Sequence, residues 1–274
     1  MTAQPAPRPT LESEASNPNG EARAVGIPTA VPEPVSTPIY DMEAAAPTVP
    51  RRLVEVASTF LAITGWRIER LNVAWVIGGA ASIGFAHFLI ARGDWRYTVP
   101  YFLATLVAYY GGNTAILTSR LPSRMVARLG EAEASRRYDT LLGVMFLNQG
   151  LGVGCMTALP IGRLPLAEWV TIPLGVALFA VGVTVKLWAT IVVGTDTYYY
   201  RDMFLGHPVG PRAVGGPYRV FRNPMYGIGQ LQGYGWALAV ASLPGLLAAA
   251  AGHALILAFY LAVERPFVRR CYPD

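Results

Sequence analysis

The sequence predicts an all-α integral membrane protein, a helical bundle of about five to six transmembrane helices ending in a helical hairpin. Three observations predict it. Of the 274 residues, 53% are hydrophobic and only 14% charged, against roughly 25% charged in soluble domains. Apolar runs recur at close to the ~20 residues that a helix needs to cross a bilayer. Arginines gather in every second loop, which is how a membrane protein sets its orientation. The mean hydropathy is +0.37 although the first 50 residues are polar.

Taken in order, residues 1–50 are rich in Pro, Ala, Glu and Thr, with few large aliphatics. They cannot bury enough apolar surface to offset ordering entropy, so a disordered cytoplasmic tail is expected. Its acidic balance and lack of an apolar core exclude a secretory leader and argue against an organellar transit peptide. Residues 51–70 have amphipathic character and form an interfacial segment. The membrane domain is expected over 71–274, with spans at 71–91, 97–117, 140–160 and 169–194. A hairpin follows, with arms 227–243 and 246–263, broken by Ser242-Leu243-Pro244-Gly245. Its arms, at about 17–18 residues, reach only ~26 Å by helical rise.

Arginine placement orients the bundle. Arg51, Arg52, Arg67 and Arg70 precede the first span. Arg120, Arg124, Arg128, Arg136 and Arg137 follow the second, and Arg201, Arg212, Arg219 and Arg222 follow the fourth. Arg265, Arg269 and Arg270 close the chain. The alternate loops hold Arg92, Arg96 and Arg163, so the split is 16 against 3. Positive charge stays inside, which puts both termini and the 215–227 loop in the cytoplasm. These short arginine-bearing loops set topology and do not indicate nucleic acid as a partner. Arginine over lysine at 21 to 1 suggests a GC-rich, bacterial coding genome, hence the inner membrane (the endoplasmic reticulum if eukaryotic). The two cysteines, Cys155 and Cys271, offer no disulfide framework or zinc spacing, and no metal is expected. No GxGxxG after a strand, P-loop or HExxH is present, so any cofactor binds within the bundle.

The chemistry concentrates between Gly215 and Tyr272. Gly-Gly-Pro-Tyr-Arg-Val-Phe-Arg-Asn-Pro-Met-Tyr-Gly opens the hairpin and Glu-Arg-Pro-Phe closes it. Both ends of a hairpin lie on one side of a bilayer, so the Arg222-Asn223-Pro224 loop and Glu264 return to the same depth. Asn223 suits a helix N-cap and Pro224 the first helical position. Free amides at such a start favour a carboxylate or phosphate, and Arg219 and Arg222 add bidentate anion donors. Tyr218 and Tyr226 offer rings to a cation. Each has a plainer explanation as well, since arginines and tyrosines at an interface anchor lipid head groups. Glu264, at the end of the last apolar run, opposes the helix dipole and needs a cation. Lys186 lies about two turns inside its span, where it either snorkels or meets lipid phosphate. Of Tyr198, Tyr199 and Tyr200, one or two can line a site for an ammonium or sulfonium. His87, His207 and His253 are poor catalytic candidates, and Asn148 and Gln149 suit hydrogen bonds between helices.

Asn223-Pro224-Met225-Tyr226, Gly235-Trp236-Ala237, Ala241-Ser242, Gly245-Leu246-Leu247, Glu264-Arg265-Pro266-Phe267 and Tyr272 together resemble, in order and spacing, the phosphatidylethanolamine N-methyltransferases. Gly216-Pro217-Tyr218-Arg219 and the Arg222-x-Pro-x-Tyr core are similar to the wider membrane methyltransferase group, which includes the isoprenylcysteine carboxyl methyltransferases. A weaker resemblance reaches back to 169. It implies S-adenosylmethionine as methyl donor and a membrane phospholipid amine as acceptor. By position, the cofactor-binding residues would be Ala180, Val181, Gly182, Arg222, Asn223, Pro224, Tyr226, Glu264 and Arg265. Glu264 would hold the cofactor's ammonium or remove a proton, and Lys186, Tyr198, Tyr199 and Arg219 would serve the lipid substrate. The family's paired Glu-Glu is Glu264-Arg265 here, its Arg-His-Pro is Arg222-Asn223-Pro224, and the first Gly of its Gly-x-Gly is Ala180. Alternatives are methylation of an isoprenylcysteine carboxyl or isoprenoid acceptor, a sterol-reductase-like enzyme, and a non-catalytic lipid-binding protein. The reductase would need a nicotinamide pocket, for which no added basic motif appears.

Overall fold

A computed structural model describes residues 49–207 and 215–271. The tail expected over 1–50 lies outside the described residues up to residue 48, as do Arg212 and Tyr272. All regular structure among the described residues is helical. An isolated antiparallel bridge joins Arg163 to Ser242.

Helix α1 (Val49–Ala62) is amphipathic and exposes Leu53, Val54 and Phe60. Helix α2 (Val73–Arg92) starts where the Asn72 side chain accepts from the Trp75 amide, and stops at Gly93 in the left-handed region. Asp94 caps α3 (Trp95–Leu106) by accepting from the Arg96 amide. A widened, π-type stretch, Val107–Gly112, carries α3 into α4 (Asn113–Thr118). The expected span 97–117 is therefore one helical run with a wide turn inside it. Helices α5 (Leu121–Leu129), α6 (Glu131–Thr157) and α7 (Glu168–Val193) follow, then the short α8 (Thr195–Tyr198) and α9 (Arg201–Leu205). Helices α10 (Leu231–Ala239) and α11 (Leu243–Phe259) form the hairpin. A second π-type stretch, Tyr260–Glu264, leads into α12 (Arg265–Cys271).

Four helical segments are long and apolar enough to cross a membrane: Val73–Arg92, Glu131–Thr157, Glu168–Val193 and Leu243–Cys271. The hairpin arms differ from expectation in opposite ways. The first contains only the nine-residue α10, about 13 Å long by helical rise. Asn223, expected to cap a helix, instead heads a turn in which its side chain accepts from the Tyr226 amide and its carbonyl from the Gly227 amide. Glycines 227 and 229 have low helix propensity, and hydropathy does not register that. The second arm runs unbroken past Glu264 to Cys271, so Glu264 is not at a helix end. Pro266 lacks an amide hydrogen and its ring crowds the carbonyl four residues back. The wide turn just before it relieves that crowding.

Helices α7 and α10 share the closest seam in the fold, built on glycine. A β-carbon on Gly182 would run into the backbone of Gln232, one on Gly175 into Ala239, and one on Gly235 into Phe179. Small residues permit this backbone approach in membrane bundles. Helix α6 packs instead on α2, α3 and α11. No comparable seam joins α6 to α7.

A partly buried ionic cluster fastens the 62–70 turn to the rest. Arg67, 5% exposed, pairs with Asp139, Glu69 and Asp196, and Arg201 also pairs with Asp196. Burial alone would raise the Asp196 carboxyl; the hydrogen bond from Arg67 and the charges of Arg67 and Arg201 together hold it below its ordinary range. The Arg67 guanidinium also lies 5.0 Å from the Tyr199 ring centroid. Tyr199 donates to the Ala62 carbonyl at 3.0 Å. Removing that hydroxyl in Tyr199→Phe leaves the ring in place, so an expected loss of about 1 kcal/mol should appear as a modestly lowered thermal midpoint with unchanged activity.

Candidate functional site

The space between α6 and α7 is a cavity of about 1420 Å³, walled also by α1, α10, α11 and the 215–227 segment. Its polar end is assembled from both ends of the hairpin. The Tyr226 hydroxyl donates to Glu264 Oε2 at 2.6 Å. The Tyr200 hydroxyl lies 3.2 Å from that of Tyr226. Since Tyr226 spends its proton on the carboxylate, Tyr200 donates to Tyr226. Burial first, and then the Glu264 charge, push the Tyr226 phenol well above its ordinary value, so it stays a donor. Glu264 Oε1 has no hydrogen-bond partner among the described residues, and Glu264 lines the cavity. No arginine pairs with Glu264 among the described residues.

Local backbone geometry places these groups. Tyr200 sits at φ 57°, ψ 26° ahead of α9, a left-handed conformation uncommon for a bulky residue. It is held there by its ring against Phe259, with centroids 5.2 Å apart, and by its hydroxyl. The two π-type stretches meet at the cavity, contributing Tyr109 and Tyr110 from one and Tyr260 and Glu264 from the other. Tyr110 donates to the Gly252 carbonyl at 3.0 Å, tying that run to α11. Wide turns of this kind recur at functional sites.

Lys186 is buried, 7% exposed, with its Nζ 5.5 Å from the Phe146 ring centroid and 5.9 Å from that of Tyr198. Among the described residues no carboxylate pairs with it. An ammonium so desolvated needs an anion or an aromatic cage, and here it has only the rings. Arg219 and Arg222 are exposed at the cavity wall, with Asn223, Tyr218 and Arg265 beside them. The Asn223 amide nitrogen has no protein partner among the described residues.

The structure thus brings Lys186, Tyr198, Arg219, Arg222, Asn223, Tyr226, Glu264 and Arg265 to one cavity. Pro224 is fully buried behind it. Tyr199 points away, toward Ala62 and Arg67. Ala180 and Val181 are exposed on the outer face of α7, and Gly182 is turned into the α10 seam. Tyr200 belongs to the tyrosine triplet of which one or two members were expected to line a site; Tyr109, Tyr110 and Tyr260, which join it at the cavity, were not singled out by the sequence. These three lie inside apolar runs, where a hydroxyl is the sole signal. Among the described residues no group of three or more His, Cys, Asp or Glu side chains is placed to hold a metal ion.

Comparison with known proteins bears on the same half of the chain. Residues 170–274 match the family described as phospholipid methyltransferase. A phosphatidylethanolamine N-methyltransferase of Komagataella phaffii is 33% identical over 108 residues, which are 39% of this chain and 12% of that protein. Phosphatidylethanolamine N-methyltransferase 1 of Vanderwaltozyma polyspora is 30% identical over 115 residues, 42% of this chain and 14% of that protein. The matched segment is therefore a small part of those much longer relatives. No solved structure matches. Every charged group named at the cavity falls in the segment, residues 170–274, that matches the phospholipid methyltransferase family.

Proposed function

We propose that the chain transfers a methyl group from S-adenosylmethionine to the amine of phosphatidylethanolamine, or of its mono- and dimethyl derivatives, toward phosphatidylcholine. One observation carries the proposal: a single cavity holds a carboxylate, Glu264, with one oxygen free of partners among the described residues, and a buried ammonium, Lys186, unpaired among them. That pair complements a zwitterionic head group, whose ammonium seeks an anion and whose phosphate seeks a cation. The arginine distribution supports a site on the cytoplasmic side, and the 21-to-1 excess of arginine over lysine supports a bacterial inner membrane.

The residues present also fit the methyl donor. Arg222 and the Asn223 amide suit its carboxylate, and the rings of Tyr218, Tyr226 and Tyr260 suit a cationic centre. When bound, S-adenosylmethionine supplies a methyl group on a sulfonium. The chain's own work is positioning, desolvation and proton removal. An alkylammonium has a pKa near ~10 and no lone pair until it loses its proton. Glu264 Oε1 accepts that proton, while Tyr226 and Tyr200 keep the carboxylate turned toward the amine. Lys186 and Arg219 hold the phosphate and so fix the amine's reach.

Purified protein in lipid nanodiscs, supplied with S-adenosylmethionine carrying a radiolabelled methyl, should place label in the mono-, di- or trimethylated lipid. Label in a prenylated acceptor alone, or in no lipid, overturns the proposal. Lys186→Met should raise KM for the lipid roughly tenfold or more, the worth of a charge-assisted hydrogen bond, with little change in kcat. An equal fall in kcat would move Lys186 from holding substrate to the chemical step.

A further inference from the structure

Below the head-group end the cavity is lined mainly by apolar residues, with Gln149 and Gln232 the polar exceptions, and has no use in the transfer itself. Its α6 wall carries two glycines one turn apart, Gly150 and Gly154, both facing empty space: a β-carbon on either would meet nothing within 4 Å. This sets them apart from Gly175, Gly182 and Gly235, which are needed for close backbone contact. Opposite stand Phe179 and Val183 of α7 and Trp236 of α10, and Phe179 and Trp236 are 40% and 51% exposed. Few close contacts join α6 to α7, and with Phe179 and Trp236 part-exposed we read this side of the cavity as open toward the bilayer interior. The groove continues past Gly154 and Trp236 into a second crevice of about 480 Å³ that reaches Thr157, Ala158 and Arg163. From Phe146, beneath the Lys186 ammonium, to Ala158 is about 18 Å of helical rise, more than half of a ~30 Å hydrocarbon core.

We propose that this groove takes one fatty acyl chain of the phospholipid substrate, entering sideways between α6 and α7, and that Gly150 and Gly154 set how long a chain fits. The inference rests on the phospholipid reading of the cavity and adds where the tail goes. Lys186 supplies the independent evidence of a ligand: a polar group more than nine-tenths buried, without an anionic partner among the described residues, at the mouth of the groove. A phosphate there leaves its acyl chains at the level of the glycines. An apolar groove with buried Lys186 and the Arg219–Arg222 pair at its head-group end, and Arg163 only at the far rim of the second crevice, matches a molecule with an anionic head and an apolar tail. A soluble acceptor has no use for the lower half of the space.

The test uses the full chain in nanodiscs or detergent and two ethanolamine lipids, dioleoyl and dihexanoyl. Gly150→Leu and Gly154→Leu should lower kcat/KM for the dioleoyl lipid roughly tenfold or more, since shutting even two methylenes out of the groove is worth about that. Activity on the dihexanoyl lipid should remain, which also shows that the variants fold. Gly84→Leu fills empty space of the same kind on α2, outside the cavity, and should change neither rate. Equal losses on both lipids, or none on either, overturn the proposal. An activity-free measurement separates it from the methylation reading. A phospholipid with a photoactivatable group late in one acyl chain should crosslink near residues 150–158, Phe179 or Trp236, and the glycine variants should suppress that crosslink. Crosslinks confined to the outer faces of α2 and α3 overturn the groove even if methylation is found. Crosslinks in the groove without any methylation retain it and overturn the methylation reading. Groove crosslinks without chain-length discrimination among active variants point to a bystander lipid and overturn the assignment to substrate.

Discussion

Glu264→Gln is expected to lower the single-turnover rate of methyl transfer roughly 10²–10⁴-fold, the usual contribution of a general acid or base. The substitution keeps shape and a hydrogen-bond acceptor for Tyr226, so the fold and the thermal midpoint should hold. It removes the ability to take a proton from an ammonium. Cofactor affinity, measured by equilibrium dialysis, separates the two roles open to this carboxylate. Unchanged affinity with a collapsed rate fits proton removal. A parallel loss of affinity makes Glu264 the anchor for the cofactor's ammonium. A rate within a few-fold of wild type removes it from the mechanism. Tyr226→Phe should cost less, because it loosens the carboxylate without neutralising it.

Gly182→Val is expected to prevent accumulation of folded protein. Its added carbons would enter the backbone of Gln232 on α10, which has no flexible end to move aside. Overpacking of this kind costs about 1–3 kcal/mol where side chains can adjust, and more is expected where only backbone is available. Even Gly182→Ala should lower the thermal midpoint clearly. Ala180→Leu and Val181→Leu change residues exposed on the outer face of α7, so their midpoints should stay near wild type. Cofactor affinity in those two variants tests the role that the family resemblance assigns to residues 180–182. A loss there, without a loss of stability, would return this stretch to the cofactor.

These cases show what was legible in sequence. Helical membrane architecture followed from composition and from the length of the apolar runs, because a bilayer forces both. The approach of the 222–227 loop to Glu264 followed from hairpin geometry, and the Tyr226 hydrogen bond makes that approach. The short α10 was not legible, since hydropathy ignores the turn-forming glycines around Ile228. The Arg67 cluster was missed for a related reason. Its partners, Asp139 and Asp196, are 72 and 129 positions away, and no local pattern announces a contact at that separation. Gly182 illustrates the ambiguity of glycine: a short glycine motif in a helix marks either a ligand's approach or another helix's.

The wide turn at Tyr260–Glu264 makes the site a matter of counting as well as of composition. Each residue along an α-helix advances the side-chain direction by about 100°. Were the stretch before Pro266 wound as ordinary α-helix, the same residues would leave Glu264 pointing elsewhere while Gly252, Ile256 and Phe259 kept their seats on α11. The carboxylate's aim is therefore encoded in the number of residues separating Phe259 from Pro266. A chain that kept every side chain named above but wound that interval without the widened turn would keep its composition and lose its bearing.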